Sequence, residues 1–294
     1  VLDEAARAGE RHGIGVGVVV AASRLRHPLD ARTLARLAAK NAGGVVGFGL
    51  SNDERRGDTS AFAPAFRIAR NAGLASLPHG GELLGADAVS ETLDALHPTR
   101  LGHGVRSAES PEVLARVVDA GVGLEVCPGS NVALGVYESA PEVPLRPLFD
   151  AGARMALGAD DPLLFGSRLL DQYETTRRIG LDDVELADLA ASSIRLSAAP
   201  APVRSRLLAG VRDWLAAPAP GDARRQLVAE FGDRYFRETD EARAYPEAFV
   251  EALTKAVDWV WITGNHDPDM EARCGGTLVE ELAAFGPGDG VWLV

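Results

Sequence analysis

The run Met155-Ala156-Leu157-Gly158-Ala159-Asp160-Asp161-Pro162 puts two adjacent carboxylates directly after an apolar stretch. Residues 153–157 read as a buried strand, and burying two charges at its end is costly unless a metal or a polar ligand uses them. Three upstream segments have the same form. Pro78-His79-Gly80-Gly81-Glu82 follows Leu74-Ala75-Ser76-Leu77, and Leu101-Gly102-His103-Gly104 follows Pro98-Thr99-Arg100. Glu125-Val126-Cys127-Pro128-Gly129-Ser130-Asn131 follows Gly121-Val122-Gly123-Leu124. Four strand ends with polar chemistry point to one site assembled from several loops.

Working outward, strand and helix patterns alternate to about residue 217. Gly15–Val20, Gly44–Leu50, Leu74–Leu77, Arg100–Leu101, Val122–Val126 and Ala153–Leu157 read as strands. Runs such as Val16-Gly17-Val18-Val19-Val20 suit strands covered on both faces. Helical patterns over residues 33–40, 62–71, 88–96, 111–120 and 145–151 separate them, and 171–179, 182–192 and 202–216 follow. Six strands with helical crossovers predict an α/β fold with a parallel sheet. All four polar segments fall at C-terminal strand ends, where such folds keep their active residues. Ala216-Ala217-Pro218-Ala219-Pro220-Gly221 reads as a linker. The expected organisation is a barrel-like unit at 1–217, a linker at 218–224 and a small α/β tail at 225–294. All four tryptophans (Trp214, Trp259, Trp261, Trp292) lie at or beyond the end of the first unit.

Composition narrows the function. The 294 residues carry 46% apolar residues, enough for a sizeable core. A net charge of −12 argues against a nucleic-acid backbone as partner. No apolar stretch is long enough to span a membrane. Cys127 and Cys274 are the only cysteines, too few for a disulfide framework, so a reducing, cytoplasmic setting is expected. The acidic N-terminus lacks the layout of a signal peptide. The chain opens on Val1 rather than Met and is expected to begin within a longer protein. Nothing in the sequence fixes an oligomeric state.

Taken together, the four segments resemble the adenosine deaminase family of the amidohydrolase superfamily over roughly residues 10–217. His79-Gly80-Gly81-Glu82 stands for the family's His-Ala-Gly-Glu and Leu101-Gly102-His103-Gly104 for its Ile-Gly-His-Gly; Cys-Pro-Gly-Ser-Asn and Ala-Asp-Asp-Pro match almost as written. The resemblance implies a (β/α)8 TIM-type barrel, here incomplete with about six of eight βα units, and one Zn2+ per chain. It implies that His79 and Asp160 ligate the zinc, that Glu82 shuttles protons to the ring nitrogen beside the attacked carbon, and that His103 orients the hydroxide. Asp161, Gly81 and Asn52 would contact the substrate, while Cys127 and Asn131 are read as structural. The implied reaction is hydrolytic deamination of an adenine-containing, small-molecule purine nucleoside with release of ammonia.

Two departures qualify that expectation. The family's His-x-His pair on the first strand is absent: the six histidines are His12, His27, His79, His97, His103 and His266. Zinc binding is therefore expected to be weak, and activity small or absent, because catalytic zinc usually takes three protein ligands. The strand ending Leu50-Ser51-Asn52-Asp53-Glu54-Arg55-Arg56-Gly57 resembles bacterial deaminases acting on 6-aminodeoxyfutalosine. Adenosine and aminodeoxyfutalosine are thus the two expected substrates, with Arg55 or Arg56 meeting the carboxylate of the latter. In the tail, Gly232-Asp233 and Gly264-Asn265-His266-Asp267 resemble part of the calcineurin-like metallophosphoesterases. That likeness implies metal ligation, by Mn2+ if the tail is functional, at Asp233, Asn265 and His266. A tail-borne phosphoesterase and a non-catalytic purine-binding remnant are the alternatives to a deaminase.

Overall fold

Apolar runs that need cover on both faces assemble into one parallel sheet with helices packed against it. The computed structural model describes residues 2–13 and 15–217, and the backbone of residues 259–260 and 292–293. Its strands are β1 (Val18–Ser23), β2 (Val45–Ser51), β3 (Ala75–Gly80), β4 (Arg100–His103), β5 (Gly123–Val126) and β6 (Arg154–Leu157). They lie side by side in chain order, every neighbouring pair parallel. A doubly wound sheet reverses its order at a switch point. This one winds in a single sense, as a barrel does. The expected (β/α)8 architecture is thus present as an incomplete TIM barrel, with β1 and β6 as edges among the described residues.

The connecting helices are α1 (Leu2–His12), α2 (Pro28–Lys40), α3 (Ala63–Asn71), α4 (Ala86–Leu96), α5 (Pro111–Asp119), α6 (Pro128–Ala133) and α7 (Leu145–Asp150). After β6 come α8 (Pro162–Phe165), α9 (Leu169–Ile179), α10 (Asp183–Leu196) and α11 (Ala201–Ala216). Among the described residues no helix is long and apolar enough to cross a membrane. Two apolar clusters form the core. In one, Ala31, Ala35 and Ala38 of α2 present a stripe of small side chains to Phe48 and Leu50 of β2. Phe48 meets Phe66 edge to face, with ring centroids 5.1 Å apart. The other joins Leu101, Leu124, Val126, Met155 and Leu157 of β4–β6 to Leu148, Leu186, Ile194 and Leu207.

Some boundaries differ from those expected. β3 runs on through Pro78, His79 and Gly80, so His79 sits in the ladder rather than in a loop after it. Pro78 is tolerated because it closes the ladder with β2, opposite Leu50, just before the ladder with β4 begins at His79. α2 starts at Pro28 instead of Thr33, because Pro occupies the first turn and His27 Nδ1 accepts a hydrogen bond from Leu29 N–H at 3.1 Å. In the tail, β7 (Trp259–Val260) and β8 (Trp292–Leu293) pair in parallel. Asp233, Asn265 and His266 lie outside the described residues.

One buried ion pair ties the middle of the sheet to its helical cover. Arg100 of β4 donates to Glu125 Oε1 of β5 at 2.7 Å and to the Leu196 carbonyl at the end of α10 at 2.5 Å. Both side chains are almost fully buried. Burial lowers the Arg100 pKa and Glu125 opposes that shift. Glu125→Ala is expected to cost about 3–5 kcal/mol, since it strands a buried guanidinium. The double replacement Arg100→Met/Glu125→Leu should cost clearly less. Urea unfolding of both variants checks this; equal losses would contradict it.

Candidate functional site

The four polar segments converge at the C-terminal ends of β3, β4, β5 and β6. Register brings the first two together, with His79 opposite Gly102 and Gly80 opposite His103. The His79 and His103 rings meet edge to face, with centroids 5.1 Å apart. A Cβ at position 102 would stand 2.7 Å from His79 Nδ1, so only glycine lets the imidazole lie against β4. At position 81 a Cβ would stand 2.3 Å from Val89 Cγ2, and the backbone there has φ +76°. That glycine turns the chain from β3 so that Glu82 reaches the same place.

His103 is the centre of the cluster. Its Nε2 lies 3.3 Å from Glu82 Oε1 and 3.8 Å from Asp160 Oδ2. Ser130 Oγ donates to Asp160 Oδ2 at 2.6 Å, which fixes that carboxylate and turns its other oxygen elsewhere. His103 and Asp160 both have positive φ, 63° and 57°, and so does Asn52, at 73°. Non-glycine residues pay about 1–3 kcal/mol for such backbone, and it collects at functional sites. Three of the four such residues described stand where β2, β4 and β6 give out, and the fourth, His97, ends α4.

Electrostatics sharpen the picture. Burial pushes the His79 pKa down to about 3, with smaller contributions from the charges of His103 and Arg24, so its imidazole is neutral across the physiological range. Burial also pushes the Glu82 carboxyl up; His103 works against this, while Asp160 and Glu54 add to it. Burial and the charges of Asp160, Glu125 and Glu82 push the Cys127 thiol far up.

Several buried polar atoms in this cluster have no hydrogen-bond partner among the described residues. They include both ring nitrogens of His103, Glu82 Oε1 and Asp160 Oδ1, the 3.3 Å approach of His103 Nε2 to Glu82 Oε1 lacking hydrogen-bond alignment; the His79 ring has only a weak contact with the Leu50 backbone. Orphaned polar atoms at this density are costly unless a ligand satisfies them. The donor types, imidazole and carboxylate, suit zinc. The ligand atoms of His103, Cys127 and Asp160 lie within 4.8 Å of one another. Cys127, read from sequence as structural, therefore stands inside the cluster.

Of the other expected residues, Gly81 is at the turn after β3 and Asn52 immediately follows β2. Asp161 holds the N-cap position of α8, where its side chain makes no capping hydrogen bond. Arg55 grips Asp53 through Nε and Nη2 at 2.8 and 3.1 Å and is exposed. Sequence reasoning missed Glu54, a buried carboxylate that accepts from the backbone of residues 81–84. It also missed Arg24, buried and bonded to the His79 carbonyl. The only signal was the Asp-Glu pair itself, because both contacts bridge distant parts of the chain.

Gly102→Ala is expected to push the His79 ring off β4, to destabilise the protein by about 1–3 kcal/mol, and to lower zinc affinity. Urea unfolding with a competitive zinc titration checks this. Wild-type stability together with wild-type affinity would contradict it.

This arrangement has counterparts. The adenosine deaminase family profile matches residues 1–214. A Streptomyces coelicolor protein assigned as an adenosine/adenine deaminase is 61% identical over 219 residues, 74% of this chain and 64% of its own length. An adenine deaminase of Rhizobium leguminosarum is 40% identical over 205 residues, 69% of this chain and 64% of its own length. The crystal structure of an adenine deaminase from Arthrobacter aurescens matches with a TM-score of 0.68 and 31% identity, over 73% of this chain and 66% of that one. The chain thus spans 64% of the length of these two curated relatives. With the family profile matched from residue 1 to residue 214, on a singly wound parallel sheet with the polar cluster at its strand ends, the chain belongs to the adenosine deaminase family.

Proposed function

We propose that residues 1–217 carry the acid–base part of a hydrolytic deaminase site acting at C6 of an adenine ring. The observation that carries this reading is the buried cluster of Glu82, His103 and Asp160, closed to 3.3 and 3.8 Å around His103 Nε2. This reading assigns no part of the site to the expected linker at 218–224 or tail at 225–294.

Each residue has a task suited to its surroundings. Glu82, whose carboxyl pKa is raised by burial, keeps a proton more readily than an exposed carboxyl and gives it to the ring nitrogen beside C6. Water adds its oxygen to C6 and ammonia leaves, so adenine plus water becomes hypoxanthine plus ammonia. His103, between Glu82 and Asp160, holds the attacking oxygen and stabilises charge as it develops. Asp161 hydrogen-bonds a purine nitrogen, and Gly81 and Asn52 line the same end of the sheet. His79 and Asp160 would hold zinc, with Ser130 keeping Asp160 in orientation. Held there, zinc would supply Lewis-acid chemistry that makes hydroxide available from water at neutral pH. His79 and Asp160 fall one short of the usual three protein ligands, and Cys127, close to Asp160, has its thiol pushed far up by burial, so binding is weak in this chain.

The ring is the common element of the substrate candidates. The relatives named as adenine deaminases support the free base, and the Streptomyces relative supports base or nucleoside. The engagement of Arg55 by Asp53 takes up one of the two arginines either of which could meet the carboxylate of aminodeoxyfutalosine, so adenine and adenosine come first.

At saturating zinc, the chain should release ammonia from adenine slowly, and Glu82→Gln should lower that rate by about 10²–10⁴-fold. Adenine, adenosine and 6-aminodeoxyfutalosine offered in parallel rank the substrates. Ammonia release unchanged by Glu82→Gln, or purine binding with no release from any of the three, would contradict the proposal.

A further inference from the structure

Beyond Gly80 the ladder ends, yet the next residues carry Glu82 and must be held. The carboxylate of Glu54 holds them. Its Oε1 accepts from Gly81 N–H at 2.5 Å, and its Oε2 accepts from the N–H groups of Glu82, Leu83 and Leu84 at 2.9, 2.7 and 3.0 Å. Four successive N–H groups turned to one point form an anion-binding nest. In this protein the anion comes from the chain itself, three residues after β2. On the other side, Arg24 donates through Nη2 to the His79 carbonyl at 2.8 Å and through Nη1 to Thr59 Oγ1 at 2.9 Å. Glu54 and Arg24 are 4% and 3% exposed, so solvent does little to weaken either grip. The carbonyl of His79 and the N–H groups of residues 81–84 are therefore fixed by opposite charges from the ends of two neighbouring strands.

We propose that Glu54 and Arg24 are positioning residues that set the path of residues 79–84, and through it the placement of His79 and Glu82. Neither side chain hydrogen-bonds a side chain of the cluster; each holds these residues through their backbone, and its charge adds a smaller direct effect. The inference rests on the reading above that His79 and Glu82 serve the site, and it names what holds them there. The carbonyls of the same turn are held separately, by Arg106 N–H on Gly81 at 3.0 Å and Arg106 Nη1 on Leu83 at 3.0 Å.

The test uses the full chain with Glu54→Gln, Arg24→Lys and the double variant Arg24→Gln/Glu54→Gln. A glutamine keeps the shape but faces part of the nest with its own NH2. A lysine keeps the charge but loses the fork that spans Thr59 and His79. Amide hydrogen exchange followed by mass spectrometry should show residues 81–84 exchanging about tenfold faster or more in Glu54→Gln, with β5 and β6 protected as in wild type. Competitive zinc titration should show affinity lowered by about 10–100-fold, as for the outer partners of metal ligands. The double variant, which buries no unpaired charge, should recover the unfolding midpoint but neither the protection nor the zinc affinity. Wild-type exchange at residues 81–84, or faster exchange spread evenly over the whole protein, would overturn the proposal. So would recovery of zinc affinity in the double variant. None of these readouts needs turnover, so an inactive wild-type chain would contradict the proposed function and leave this test standing.

Discussion

The contact between the Glu54 carboxylate and the backbone of residues 81–84 is the constraint on which the site depends. A parallel sheet places its functional groups where the ladder stops, so the chain there has lost its ordinary hydrogen-bond partners. Loose backbone would let His79 and Glu82 wander by more than a catalytic constellation tolerates. A buried carboxylate solves this locally, because charge-assisted hydrogen bonds are about twice as strong as neutral ones. It also sets a condition, since a lone buried charge is costly. Arg24 meets that condition from the end of β1: the Glu54 charge raises the Arg24 pKa against the lowering effect of burial.

The rest of the site follows from crowding. Two imidazoles, two carboxylates and a thiol occupy the ends of four strands, with almost no water access. Glycine opposite His79 makes room for a ring in a space that a methyl group would fill. Positive φ at His103 and Asp160 turns each residue at the end of its strand, at a cost the surrounding packing must offset. The outcome is a neutral His79, the form of imidazole that ligates metals, in the same cluster as a carboxyl whose pKa is raised by burial.

Much of the fold was legible because buried strands write continuous apolar runs and three of the four polar segments followed one. The singly wound order could not be read from periodicity, and it was the resemblance to a deaminase barrel that pointed to it. Boundaries slipped where punctuation misled. Pro78 and Gly80 look like a loop but sit inside β3, and His27-Pro28 opens α2 although histidine is not a usual cap. In the site, His79, Glu82, His103 and Asp160 were named from their motifs and the structure brings them together. Glu54 and Arg24 were not, since their partners lie 27–30 and 55 residues away. Local pattern carries no trace of such contacts. The same distance hid Cys127, which meets His103 and Asp160 only once β4, β5 and β6 are side by side.

In the proposed function, the absent His-x-His pair would leave His79 with a larger share of the metal site than it would have in a four-ligand centre. The account stands or falls on where zinc goes. The most direct measurement is nitrogen-15 NMR of the imidazole side chains during a zinc titration of the full chain. The account predicts that the His79 ring nitrogens shift as zinc is added and that His79→Gln abolishes zinc uptake at the site, while His12, His27 and His97 stay unchanged. Shifts confined to those three, with His79 unmoved at saturating zinc, would contradict it.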